Sequence, residues 1–254
     1  SSFYFRDQDV DLKSIGQRLG VAHVLEGSIR HAGDQLRITV QLIDVRNDAH
    51  VWAEVYDRRL EDIFDVQRQI ATAIAQKLSD TLRPETVIGH PAATQDLVAY
   101  HLYLEARSES HTLTEQSMRA SVDLYKSALE RDPGFAAAWA ALALTYWILP
   151  GFADIDPKEV PALDELAKAA AERAVSLDAS LGAAHFVLGD YEHTRRRTQA
   201  AEGHHRRALA LAPGDSSLHA GYAAMLAETG RLSDSLRHRE VAWKLDPLRG
   251  SNAF

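Results

Sequence analysis

Ala208-Leu-Ala-Leu-Ala-Pro213 and Ala242-Trp-Lys-Leu-Asp-Pro247 repeat one pattern, Ala-x4-Pro. Their interval is about 34 residues, within the range that marks stacked repeat architectures. The pattern also stands at Ala128-Leu-Glu-Arg-Asp-Pro133, and at Ala174-Val-Ser-Leu-Asp-Ala179 with alanine in place of proline. Ala179 precedes Pro213 by the same interval and follows Pro133 by a longer one, so the stretch between Pro133 and Ala179 carries an insertion. Proline ends a helix, and a small residue shortly before it lets a neighbouring helix cross closely. The C-terminal two-thirds of the chain therefore reads as stacked helix-turn-helix units, an architecture that presents surfaces for binding.

Large and small residues recur at fixed offsets from these markers. The first unit carries Tyr100, Tyr103 and Leu104, then Tyr125, Ala128 and Pro133, with a few extra residues around Ser108 to Thr114. The second carries Trp139, Leu142, Ala143 and Tyr146, then Ala167, Ala171 and Ala174; the third has His185, Leu188, Gly189, Ala201, His205 and Ala208. The fourth has His219, Tyr222, Ala223, Leu226, Ser235 and Ala242. This succession resembles the tetratricopeptide pattern W-x2-L-G-x2-Y…A-x3-F…P, which implies four repeats over about 96–135, 136–181, 182–215 and 216–249 within a 96–254 segment. Pro150-Gly151, Asp156-Pro157 and Pro161 mark the insertion as an irregular loop, a candidate contributor to a binding surface.

Upstream the periodicity is different. Asp11 can cap a short helix through Leu19, with Leu12, Ile15 and Leu19 on one side and Gly20 as the left-handed stop. Val21 to Arg30 and Leu36 to Val45 read as a hairpin across Gly33-Asp34, since Leu36, Ile38, Val40 and Leu42 alternate with Arg37, Thr39 and Gln41. Asn47-Asp48 turns the chain into a third strand, His50 to Tyr56, where Val51, Ala53 and Val55 oppose Trp52, Glu54 and Tyr56. From Glu61 to about Leu82 the period is helical, with Ile63, Val66, Ile70, Ala73, Ile74 and Leu78 in one stripe, and Pro84 stops it. The fold class is α+β: helix, three-stranded antiparallel meander, helix, then a linker over 83–95 and an all-α solenoid.

Within residues 1–82, Ser1-Ser2-Phe3, Ile15-Gly16, Leu19-Gly20-Val21, Val24-Leu25-Glu26-Gly27-Ser28 and Gln41-Leu42-Ile43-Asp44 occur in a characteristic order. With His50-x-Trp52-Ala53-Glu54-x-Tyr56-Asp57-Arg58 and Glu61-Asp62-Ile63-Phe64-x-Val66-Gln67, they resemble the TolB-like N-terminal domain of bacterial regulatory proteins. The resemblance implies a strand-helix-strand unit before Ser1, so the chain is expected to hold a partial domain. It also implies an output domain elsewhere, either a winged-helix DNA-binding domain or a class III adenylate cyclase, with the chain as its sensory or regulatory arm in signal transduction. On that reading the compartment stays open between the cytoplasm and the periplasmic side of a membrane-tethered regulator.

Composition narrows the classes further. The chain has 254 residues, a net charge of −8 and no cysteine, which excludes disulfides and thiolate chemistry. Residues 1–90 carry 11 basic and 14 acidic side chains, 91–181 carry 7 and 14, and 182–254 carry 10 and 8. The acidic middle disfavours a nucleic-acid backbone as ligand. Arg195, Arg196, Arg197, Arg206 and Arg207, with His193, His204 and His205, form a local basic cluster suited to an acidic partner or to a solvated helix end. No apolar run approaches the roughly 18 residues of a membrane span.

Catalytic constellations are not expected. Asp7-Gln8-Asp9-Val10-Asp11 opens like a calcium loop, but Leu12 and Arg18 stand where glycine and glutamate are needed. Asp164-Glu165 and Glu61-Asp62 read as helix-start carboxylates. His185, His205 and His219 fall on adjoining helices; with no carboxylate or cysteine at matching spacing, packed histidines are expected rather than a metal site, together with a loss of stability as they protonate. No cofactor is expected. The inner face of the solenoid is assigned to Ala137, Ala140, Leu144, Trp147, Ile148, Phe186, Val187, Asp190 and His193, about 100° round the first helices from the packing positions. Repeats that clamp a C-terminal carboxylate place Lys and Asn there, whereas this apolar set suits a protein or peptide such as an amphipathic helix, or the chain's own N-terminal domain. Leu236, Val241 and Leu245 leave the last helix without a polar cap, which implies further repeats or self-association.

Overall fold

A computed structural model describes residues 10–59, 62–78, 94–152 and 155–247. The chain is α+β and divides into two compact units, one of residues up to 92 with 246–254, the other Ala93–Leu245. Most of the expected linker, 83–93, and the expected helix end after Leu78 lie outside the described residues, as does the Asp7-Gln8-Asp9 segment.

In the first unit, α1 (Leu12–Leu19) starts where the Asp11 carboxylate accepts from the Ser14 amide at 2.9 Å and its hydroxyl at 2.7 Å. It ends at Gly20, whose φ of 67° is the left-handed conformation that costs glycine least. Strands β1 (His23–Ala32), β2 (Gln35–Asp44) and β3 (Ala49–Arg59) form an antiparallel sheet in that order. A hairpin turn at Gly33-Asp34 and a second turn with Asp48 at φ 55° join them. Register sets Ile38 opposite Tyr56 and Leu42 opposite Trp52, so these four share a face with Leu36 and Val40.

That face is covered by α2 (Ile63–Leu78), with Val66 fully buried and Ile63, Ile70, Ala73 and Ile74 around it. Trp52 and Tyr56 are thus the buried side of β3, while Val51 and Val55 are exposed. A bulge between Leu42 and Ile43 breaks the alternation, and both side chains are buried in succession. Just beyond it Val45 meets α1: a Cβ on Gly16 would lie 2.5 Å from the Val45 side chain. Glycine is required at 16 for that approach.

Among the described residues the second unit holds four antiparallel helix pairs: α3 (Leu97–Ser110) with α4 (Glu115–Arg131), α5 (Ala136–Ile148) with α6 (Val160–Leu177), α7 (Gly182–Thr194) with α8 (Thr198–Leu211), and α9 (Ser216–Glu228) with α10 (Leu232–Leu245). The marker alanines Ala128, Ala174 and Ala208 are buried at 1% exposure or less. Tyr103 packs against Phe135 with ring centroids 4.9 Å apart, and against Tyr125 at 6.0 Å. Thr114 opens α4 with a capping box to Ser117, and Asp96 opens α3 while pairing with Arg131 across the hairpin at 3.0 Å.

The insertion is less irregular than expected. Leu149–Gly151 continue α5 as a 3-10 turn, Leu149 and Ile155 are buried, and Pro161 sits in the first turn of α6, where its missing N–H leaves no helical bond unmade. Because α6 starts at Val160, Asp164-Glu165 lie a turn inside the helix and not at its start. Glu165 there accepts from the Tyr191 hydroxyl at 2.7 Å and pairs with Arg195 at 2.7 Å.

Gly16→Ala is expected to destabilise the first unit by about 1–3 kcal/mol through overpacking, and Val45→Ala in the same chain should recover part of that loss. Denaturant unfolding of the single and double variants measures both.

Candidate functional site

Successive first helices of the four pairs touch one another, α5 against α7 and α7 against α9, whereas successive second helices are spread apart. The stack therefore bends with its first helices inside. Spreading of the second helices opens two grooves at equivalent repeat positions, each of about 450 Å³. The one between α4 and α6 is apolar, lined by Leu129, Trp139, Leu142, Tyr146, Leu166 and Ala170. The one between α8 and α10 is charged, with Arg206, Tyr222, Arg231, Asp234, Arg237 and His238.

On the inner face the expected residues separate into two groups. Ala140 and Val187 are buried in the core, so they pack helices together and offer no surface. The reason is geometric: α7 leans close against α5, and the side chain directed at the seam is enclosed. Ala137, Leu144, Trp147, Ile148, Phe186, Asp190 and His193 are half-buried. Trp147 donates its indole N–H to Asp190 Oδ2 at 2.9 Å, tying α5 to α7. The other Asp190 oxygen lies 3.1 Å from Nε2 of His205, which is wholly enclosed on α8. Tyr222 stacks on the His205 ring at 5.4 Å and Phe186 meets its edge at 5.5 Å. His193 bridges α7 to α9 through Glu228 at 2.8 Å.

Phe186 is seated by Gly221, where a Cβ would come within 2.2 Å of its ring. A glycine at 221 is therefore what allows an aromatic ring to lie between α7 and α9. Leu144, Trp147 and Phe186 are thus half-buried apolar side chains packed against the core on α5 and α7, with Asp190 bonded to Trp147 and Glu228 to His193.

The histidines at the large-residue packing positions form an ordered set. Trp139 donates its indole N–H to the Pro133 carbonyl at 3.0 Å; His185 Nε2 lies 3.2 Å from the Ala179 carbonyl, and His219 Nε2 lies 3.0 Å from that of Pro213. Each histidine thus copies the tryptophan bond six residues back along the chain. Their other nitrogens face a histidine on the second helix of the same pair, His185 Nδ1 to His204 Nδ1 at 3.4 Å and His219 Nδ1 to His238 Nδ1 at 3.0 Å. Sequence reasoning missed His204 and His238 as partners, although the two pairs are related by the repeat interval. Burial, then the charge of the facing histidine, lowers the pKa of His204 and of His238; Glu192 and Asp234 act weakly the other way. Among the described residues no three or more His, Asp or Glu side chains converge as metal ligands, and no helix is long and apolar enough to cross a membrane.

No family model matches the chain. Over 209 residues it is 33% identical to "Putative adenylate cyclase 3" of Rhizobium meliloti (strain 1021), an alignment covering 80% of this chain and 34% of that protein. The chain thus spans about a third of the length of this curated relative. Among solved structures, a thermophilic TPR protein of Thermus thermophilus, TTC0263, aligns with a TM-score of 0.51 and 18% identity over 75% of this chain and 89% of its own. A structure of MamA aligns with a TM-score of 0.41 and 11% identity over 76% of this chain and 98% of its own. The likeness to TTC0263 places the helical array in the tetratricopeptide-like fold.

A histidine whose folded pKa lies below its unfolded value takes its proton more readily in the unfolded chain. Stability from His204 and His238 is therefore complete above about pH 6.5 and falls as pH drops below that, until the folded pKa is passed. The midpoint of thermal unfolding is expected to fall between about pH 7.5 and 5.5. In the His204→Gln/His238→Gln variant it should fall less, and a wild-type profile flat over that range would contradict the expectation.

Proposed function

We propose that this chain is a non-enzymatic scaffold that binds a protein or peptide on the inner face of its helical repeats and serves as the sensory or regulatory arm of a bacterial signalling protein. What supports this reading is the tetratricopeptide-like helical array, with the half-buried apolar side chains Leu144, Trp147 and Phe186 on its first helices and the Trp147–Asp190 bond that ties α5 to α7. A ligand with an apolar side of helical spacing matches these side chains. The N-terminal unit is read as a partial TolB-like domain from its motifs, and the working boundaries are 1–82, 83–95 and 96–254. The link to signalling is supported by the cyclase relative, two-thirds of which lies outside the alignment with this chain and is where an output domain would be sought. Neither nucleic acid nor membrane is proposed as a ligand of this segment.

A second reading has its own support: the repeats serve oligomerisation, with a winged-helix or cyclase domain as the output. Leu232, Leu236 and Trp243 stand on one side of α10 at more than 60% exposure, an apolar stripe at the end of the array.

Peptides selected from a displayed library on the wild-type chain provide ligands for the test. Trp147→Ala and Phe186→Ala should each weaken the selected peptide at least about tenfold, as loss of a buried aromatic anchor does, with helical content unchanged. Leu166→Ala, in the outer groove, should not. Equal affinity in all three variants would remove the inner face from the account. For the second reading, light scattering at high concentration should show a dimer that Leu236→Glu with Trp243→Glu converts to monomer; a strict wild-type monomer would contradict it.

A further inference from the structure

We propose that the pairs His185/His204 and His219/His238 are two repeat-related chelating sites for a divalent transition-metal ion such as Zn²⁺ or Ni²⁺. Spacing along the sequence gave no reason to expect a metal, because the ligand set is completed by residues on the second helix of each pair. Three features of the geometry point to it.

The first is tautomer. Nε2 of His185 and of His219 faces a backbone carbonyl, Ala179 and Pro213 respectively, so the ring proton sits on that nitrogen and Nδ1 presents a lone pair. A backbone acceptor that fixes the far nitrogen is the usual outer support of a metal-ligating histidine. The second is separation. Two nitrogens bound to one ion at about 2.0–2.1 Å, at tetrahedral or right angles, stand about 2.9–3.4 Å apart. The facing Nδ1 atoms are 3.4 Å apart in one pair and 3.0 Å in the other. The third is duplication: the same four-part arrangement of carbonyl, inner imidazole, outer imidazole and helix crossing recurs one repeat later along the chain.

Without metal, the outer imidazole donates its Nδ1 proton to the inner one. On chelation that proton moves to the outer Nε2 through water, so both rings stay neutral and no net proton is released. Each pair supplies two nitrogens and water completes the coordination. His219 and His238 line the groove between α8 and α10, which gives an ion and its waters a way in. The neighbouring Arg206 and Arg237 are held by Glu202 and Asp234, which offsets their repulsion of a cation.

The test uses the full chain without a histidine tag, stripped of metal, titrated with Zn²⁺ by calorimetry and by thermal unfolding. His204→Gln and His238→Gln keep an amide donor to the inner Nδ1 and remove a ligand, which separates packing from chelation. The wild type should take up two Zn²⁺ per chain and melt a few degrees higher. Each single variant should take up one ion less, and the double variant should melt at the same temperature with and without Zn²⁺. No saturable uptake by the wild type, or uptake by the double variant equal to it, would overturn the proposal.

Discussion

An alanine Cβ at positions 128, 174 and 208 is the contact on which the repeat unit depends. At each, the second helix of a pair presents one methyl group and nothing more, and it is buried. A larger side chain there would push helices apart and lose the dispersion contacts of the whole seam. Between the first helices, Trp147 on α5 reaches Asp190 on α7.

Polar groups in this array follow the same logic. Where the repeat pattern has tryptophan, the chain uses histidine twice, and each keeps the tryptophan's bond to the carbonyl six residues back. A buried ring nitrogen without a partner costs about 1–3 kcal/mol, so keeping that bond is what makes the exchange tolerable. The spare nitrogen that histidine brings, absent from tryptophan, then needs its own partner and finds it in His204 or His238. Among the described residues His193, through its Nδ1, and His205 depart from this. For His205 the departure lies at the centre of the array. The His205 Nδ1 is buried with no hydrogen-bond partner, enclosed between Phe186 and Tyr222, with the Asp190 carboxylate beside its other nitrogen.

Much of the architecture was legible because it rests on local chemistry. Asp11 and Gly20 bracket α1 through a side-chain cap and a left-handed backbone, both properties of the residue itself. The alternation of Leu36, Ile38, Val40 and Leu42 marks the covered face of β2, and the Ala-x4-Pro spacing marks the helix pairs. What stayed hidden depends on relations between elements. The bulge at Leu42/Ile43 follows from strand pairing, and the burial of Ala140 and Val187 follows from the contact of α7 with α5. Asp164-Glu165 read as a helix start because Pro161 reads locally as part of an irregular loop, whereas it stands in the first turn of α6, which begins at Val160. The partnership of His204 and His238 with the inner histidines was present in the spacing, but a pairing between the two helices of a hairpin has meaning only once the crossing geometry is known.

The central claim is that ligands engage the inner face of the first helices and not the outer grooves. A benzophenone side chain placed at Leu144 in one variant and at Leu166 in another, irradiated with a library-selected peptide, measures this directly. The account predicts a covalent adduct from position 144 and none from 166. An adduct confined to 166 would contradict it and move the binding surface to the groove between α4 and α6.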